Sequence, residues 1–304
     1  MKKFFKKIAF FLLSVIAFLI VDEVFINNRL NNNELYKIDR SIDVLILGNS
    51  HPECSLNDSL INHSINFSQS AECYFYTYYK LKKLVEANPH IKTVILEYTN
   101  TVFRKEMDNW LFGEQYLGSK YPKYSQLISI KDNSLLFYKN PGPYLIAYKD
   151  ALKAKGSFLL RRNKCVYNEL DWGGYSYLVR DKIQQIKNDI QKSNIQKLNP
   201  DEKLTSTLNI SNLKKIADLC KANNLKLILF RSPLHPLYVK DFETELTNLL
   251  KSDLHDIPFW DYSNYQLDDF EFADLEHLNH FGAKRFSKVI NLRLEQEGLL
   301  TKKQ

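Results

Sequence analysis

Cysteine is scarce in this sequence: four stand in 304 residues, Cys54, Cys73, Cys165 and Cys220. None form a Cys-x-x-Cys pair, so they spell neither a zinc site nor a redox motif, and so few in so long a chain do not make a disulfide scaffold. Free buried thiols are the expectation. Glycine is also sparse, at nine residues, and no glycine-rich loop of the phosphate-cradling kind occurs. There is no His-Glu-x-x-His, and neither a metal nor a cofactor is expected. Excess positive charge is missing from the body of the chain. The 42 basic and 35 acidic residues give +7, but Lys2, Lys3, Lys6 and Lys7 carry four of those charges. The +3 that remains argues against a nucleic-acid partner.

What is present begins with residues 8–21, an uncharged apolar run directly after those lysines. Its length lies between a signal-peptide core and a membrane span. Phe4 and Phe5 before it and residues 24–26 after it extend it, with Lys6, Lys7 and Asp22 expected to snorkel. No small-x-small cleavage site follows. The reading is a signal anchor over residues 1–26, with its amino terminus in the cytoplasm and the globular domain held outside at the cell membrane. The asparagine-rich residues 27–40 read as a tether.

Two stretches carry chemistry. Residues 43–51 read Asp-Val-Leu-Ile-Leu-Gly-Asn-Ser-His. Four apolar residues bounded by a charge and a glycine suit a buried parallel strand, and Ser50 falls just past its carboxyl end, where open α/β sheets place their sites. Residues 274–282 read Asp-Leu-Glu-His-Leu-Asn-His-Phe-Gly. Asp274 and His277 are three apart and can face each other on one turn. A serine needs a base to take its proton, and that base needs a carboxylate to hold its tautomer. Ser50, His277 and Asp274 are therefore the candidate catalytic residues. His280 is the rival base, and it could instead cap the last helix or touch substrate. His51 beside the serine and His235 in the loop after the fourth strand are further candidate substrate contacts.

Between these stretches runs an α/β rhythm. Strands are expected at 44–47, 65–67, 94–96, 225–230 and 258–261, and helices at 72–87, 208–223, 239–250 and 281–297. The rhythm breaks over residues 101–205, which are rich in aromatics and turn signals such as Tyr121-Pro122, Pro141-Gly142-Pro143 and Trp172-Gly173-Gly174-Tyr175. Only residues 184–195 read as a helix there, and Asn199-Pro200 marks the return. A structureless loop of that length is implausible, so this segment is expected to be an inserted cap over the sheet. Residues 41–100 and 206–304 would then form one α/β domain, a flavodoxin-like αβα sandwich on a central parallel sheet.

Gly48-Asn49-Ser50 together with Asp274-x-x-His277 resembles the SGNH (GDSL-like) hydrolase superfamily. Asn66-Phe67-Ser68-Gln69-Ser70-Ala71 is similar to its second block, with Ala71 where the family has an oxyanion glycine. Residues 94–100 are similar to its third block, with Asn100 as counterpart of the oxyanion asparagine, although the glycine of that block is absent. The resemblance covers residues 41–100 and 206–297. It implies a serine esterase or O-acyltransferase with an oxyanion hole at Ser50, Ala71 and Asn100. The wording of the last motif, with the amino-terminal anchor, looks most like envelope members of the superfamily, among them alginate O-acetylation proteins and the D-alanyl transfer proteins of teichoic acid. That implies an acylated envelope glycan or an acyl-donor protein as partner. The departures in the second and third blocks keep open a non-catalytic glycan-binding or assembly protein.

Overall fold

A computed structural model describes residues 2–160, 166–192 and 205–300. Five short strands, β1 Val44–Leu47, β2 Ser64–Asn66, β3 Thr93–Glu97, β4 Lys226–Arg231 and β5 Phe259–Asp261, form one sheet in the order β2-β1-β3-β4-β5. Every pairing is parallel. The strands are apolar on both faces because helices cover both. Leu45, Leu47, Val94, Leu96, Leu227 and Leu229 face one core. Val44, Ile46, Ile95, Ile228, Phe230 and Trp260 face the other. The order reverses between β1 and β3, and such a switch point opens a crevice at the carboxyl edge.

The helices of this frame are α1 Lys2–Ile20, α2 Ser50–Ser55, α3 Tyr74–Ala87, α4 Thr207–Ala222, α5 Glu243–Lys251 and α6 His280–Gln296. α3 and α4 pack together on one face, and α6 lies on the other, against α2. Asn279 starts α6, its Oδ1 accepting from the Phe281 and Gly282 amides at 3.0 and 3.3 Å. The cap considered for His280 thus belongs to Asn279.

Three expectations need correction. Among the described residues no helix is long and apolar enough to cross a membrane. Lysines occupy four of the first six positions of α1, and residues 8–20 are the uncharged remainder. At about 1.5 Å per residue that is roughly 20 Å, against a hydrocarbon core of about 30 Å. Asp22 does not snorkel: it is buried, with its Oδ1 and Oδ2 each 3.0 Å from Lys155 Nζ and Oδ2 accepting from Tyr148 Oη at 2.8 Å. The tether does not hang free either, since Leu30, Tyr36 and Ile38 are buried in the core on the α3 side.

The third correction concerns the insertion. It contributes no strand to the sheet among the described residues, as expected, yet it is largely helical: Met107–Phe112, Glu114–Tyr124, Ile130–Lys139, Pro141–Leu160 and Ile183–Lys192. Pro141 opens a helix rather than a turn, because the first helical position needs no N–H donor. Its aromatics mostly make core: Tyr121, Tyr124 and Trp172 are almost fully buried. The return at Asn199-Pro200 and the thiol of Cys165 lie outside the described residues. Cys54, Cys73 and Cys220 are free and buried.

Candidate active site

β1 ends at Leu47, and the chain turns at once into α2, with Ser50 as its first residue. The turn depends on Gly48. Its φ is +153°, and a Cβ there would lie 2.5 Å from Glu97 Cβ and 2.7 Å from Pro52 Cγ. The space a side chain would fill lets Glu97 in, and Glu97 Oε2 accepts the Asn49 amide at 2.6 Å. Asn49 caps α2 by accepting the His51 amide at 3.1 Å.

The far end of the chain supplies the second turn. Asp274 Oδ1 accepts the amides of Glu276 and His277 at 3.0 and 2.9 Å, which tightens the loop before α6 and aims the two side chains at one another. His277 Nδ1 then donates to Asp274 Oδ1 at 2.8 Å. With that hydrogen on Nδ1, Nε2 keeps its lone pair, and it lies 2.8 Å from Ser50 Oγ. Serine, imidazole and carboxylate stand in one line, with the hydroxyl placed to donate to the ring. Burial works against ionisation of Asp274, but the bonds from His277 and Glu276 and the nearby charge of Arg180 hold its carboxyl well below the usual carboxylate range.

The insertion reaches this line. Arg180 Nη2 donates to Asp274 Oδ2 at 2.6 Å. Arg180 belongs to an extended strap, residues 173–182, that crosses the mouth of the site. The Gly174 amide donates to Ser68 O, Ser176 to Glu53 O and Lys182 to Ala273 O, while the His280 amide and Nδ1 both donate to Leu178 O. The strap starts beside buried Trp172, and Gly173, at φ +105°, lets it pass: a Cβ there would lie 2.1 Å from Ser68 O.

Of the implied oxyanion groups, the Ser50 amide sits at a helix start, where N–H groups lack intrahelical acceptors. Ala71 has φ +55°, the left-handed region that favours glycine. Its loop is held by two buried lysines. Lys80 Nζ donates to Phe67 O at 2.6 Å, and Lys120 Nζ donates to Ser70 O at 2.5 Å and to Gln69 Oε1 at 2.9 Å. Alanine in that conformation costs about 1 kcal/mol. Ala71→Gly is therefore expected to keep or slightly raise the thermal midpoint, and Ala71→Val to lower it, in a melting experiment. Asn100 is buried, and its amide donates to Asp241 Oδ1 at 2.6 Å, which leaves one N–H for another acceptor.

The three histidines expected at substrate are placed differently. His51 is buried, with Nδ1 2.6 Å from Glu97 Oε1. His235 is also buried. Its Nε2 donates to Asp269 Oδ1 at 3.0 Å and its Nδ1 accepts the Leu237 amide at 3.2 Å, so neither nitrogen is free for a ligand. His280 is half-buried beside Tyr177, ring centroids 4.5 Å apart, and can still meet one. Residues not singled out in the sequence are Glu97, Arg180 and Glu276. Glu97 carried a signal, a carboxylate ending an otherwise apolar strand; Arg180 carried none. Among the described residues no group of His, Cys, Asp and Glu could hold a metal ion.

A family model matches residues 177–298, from the strap through α6, which is less than half of the chain. No curated protein matches. Two solved structures are similar. One is a candidate acylhydrolase of Bacteroides fragilis, at 13% identity and a TM-score of 0.38 over 87% of this chain and 93% of that one. The other is a GDSL-like lipase of Bacteroides thetaiotaomicron, at 11% identity and a TM-score of 0.36 over 88% of this chain and 99% of that one.

Proposed function

We propose that this protein is a serine-dependent acyl-ester hydrolase or O-acyltransferase acting on ester-bearing glycan of the cell envelope. The observation that carries the reading is the Ser50–His277–Asp274 line, with both hydrogen bonds at 2.8 Å. Ser50 Oγ attacks the ester carbonyl as its proton passes to His277 Nε2, and Asp274 steadies the imidazolium. The negative oxygen of the tetrahedral intermediate falls to the amides of Ser50 and Ala71 and the remaining N–H of Asn100. His277 returns its proton to the departing sugar oxygen, leaving an acyl-serine. Water then completes hydrolysis, or a second sugar hydroxyl completes transfer.

A glycan fits the surface beside the base. Tyr177, Phe270 and Phe281 are 63, 56 and 54% exposed around His280, and amphipathic aromatic rings suit the apolar faces of sugars. A membrane location fits α1, where Phe10, Phe11, Leu12 and Leu13 are all exposed. A body outside the cytoplasm is part of the proposal. A reporter fused after Gln304 that is active only in the cytoplasm would remove that part.

The test of chemistry is incubation with an acetylated oligosaccharide, with and without an unacetylated acceptor glycan. Free acetate marks a hydrolase, and acetyl groups on the acceptor mark a transferase. The engagement of Asn100 with Asp241 favours one other reading, a glycan-binding protein that keeps the fold without turnover. Glycan binding without acetate release, acetyl transfer or covalent labelling by a fluorophosphonate would support that reading instead.

A further inference from the structure

His51 lies beside the Ser50–His277–Asp274 proton path without belonging to it. Its ring stacks on that of His277, centroids 5.3 Å apart and planes 20° apart, and the side chain is only 4% exposed. Nδ1 faces two acceptors, Glu97 Oε1 at 2.6 Å and Asn49 Oδ1 at 3.0 Å, so it carries a hydrogen. Nε2 faces Glu276 Oε2 at 3.5 Å, an ion-pair contact longer than a hydrogen bond. A neutral ring would aim the lone pair of a fully buried nitrogen at that carboxylate, an acceptor against an acceptor with no hydrogen between them. A second ring hydrogen removes the conflict.

Both carboxylates are themselves tied to the two reactive turns. Glu97 accepts the Asn49 amide, one residue before the serine. Glu276 stands between Asp274 and His277, and its amide bonds Asp274. We propose that His51 is a positioning residue, an imidazolium clamped between Glu97 and Glu276 that locks the turn of Ser50 against the turn of Asp274 and His277. The charge and the clamp stand on geometry, while the effect on reactivity rests on the serine-enzyme reading above. The groups facing His51 are Glu97 from β3 and Glu276 and His277 from the loop before α6, with Arg104 acting on Glu276 from beyond. Burial pushes the His51 imidazolium toward losing its proton, but Glu97 and Glu276 outweigh burial and raise its pKa to about 9. Since that is above the unfolded value of 6.5, the contribution to stability is complete below 6.5 and is lost as pH rises through about 9.

The test uses the full chain, labelled with nitrogen-15, and side-chain proton–nitrogen correlation spectra, with His51→Gln to assign the ring. Near neutral pH both His51 nitrogens are expected to show the shift of a protonated nitrogen, with a midpoint close to 9, and Glu276→Gln is expected to lower that midpoint. A His51 that is neutral at about pH 7 overturns the clamp. Fluorophosphonate labelling rates across pH test the role. Wild type should fall off above about pH 9. His51→Gln should be slower by about 10- to 100-fold and lack that alkaline limb. Glu276→Gln, whose carboxylate is 37% exposed, should keep the fold and move the limb to lower pH. A uniformly slower His51→Gln with the wild-type pH shape, or one as fast as wild type, overturns the positioning role. A wild type that is never labelled overturns the serine reading and that role with it, while the spectra still report the clamp.

Discussion

Ser50→Ala is expected to abolish covalent labelling by a fluorophosphonate and to lower ester turnover by about 10⁴-fold or more. In the proposed chemistry the hydroxyl supplies both the attacking oxygen and the proton for His277 Nε2, 2.8 Å away, and among the described residues no other serine hydroxyl bonds that ring. Removing one oxygen from a half-exposed residue at the start of a six-residue helix leaves the packing of β1 and α6 untouched. The melting temperature should therefore stay close to wild type, which separates lost chemistry from lost fold. His277→Ala should lose about as much, because in the proposed chemistry the serine and its base act as a unit. Asp274→Asn should lose about 10⁴-fold through the wrong tautomer on His277. Labelling that survives Ser50→Ala at the wild-type rate would show that another residue reacts, and the site assignment would fail.

Lys80→Ala is expected to destabilise the protein by about 3–5 kcal/mol. Lys80 and Glu72 are both fully buried, with Nζ 2.8 Å from Glu72 Oε2. The lysine also donates to Phe67 O at 2.6 Å and to Trp172 O at 2.8 Å. Glu72 further accepts from Thr77 Oγ1 and Tyr124 Oη, at 2.9 and 2.5 Å. Losing the lysine leaves a carboxylate without its counter-charge in the core, and the desolvation of that group is then uncompensated. Thermal melting should shift downward by on the order of 10 °C. The double variant Lys80→Met with Glu72→Gln removes both charges together and should recover much of the loss. Because Phe67 O opens the loop that carries Ala71, the single variant should also slow labelling before it unfolds. A Lys80→Ala protein that melts like wild type would refute the structural weight given to the pair.

Much of the frame was legible in the sequence for a physical reason. Strands buried on both faces read as apolar runs such as Val44–Leu47, and amphipathic helices such as α4 repeat with a period set by backbone geometry alone. Gly48 and the spacing of Asp274 and His277 are equally local, since a turn or a three-residue offset is fixed by neighbours in the chain. The insertion was harder to read. Pro141 and Pro122 signal turns in isolation, yet one opens a helix and the other stands inside one, because tertiary packing overrides weak local preference. Its aromatics were ambiguous because a ring suits a core and a cleft equally, and only burial separates Trp172 from Tyr177.

What the sequence by itself determined, then, is the parallel sheet, the serine at the end of its first strand and the acid–histidine turn near the last helix, all properties of segments a few residues long. Only the tertiary structure decided that Ser50 and His277, 227 positions apart, meet at 2.8 Å. It alone paired His51 with Glu97 and His235 with Asp269, placed Arg180 of the insertion on Asp274, and brought Glu97 beneath the serine turn. Contacts between distant segments depend on how the layers pack, and no local spacing records them.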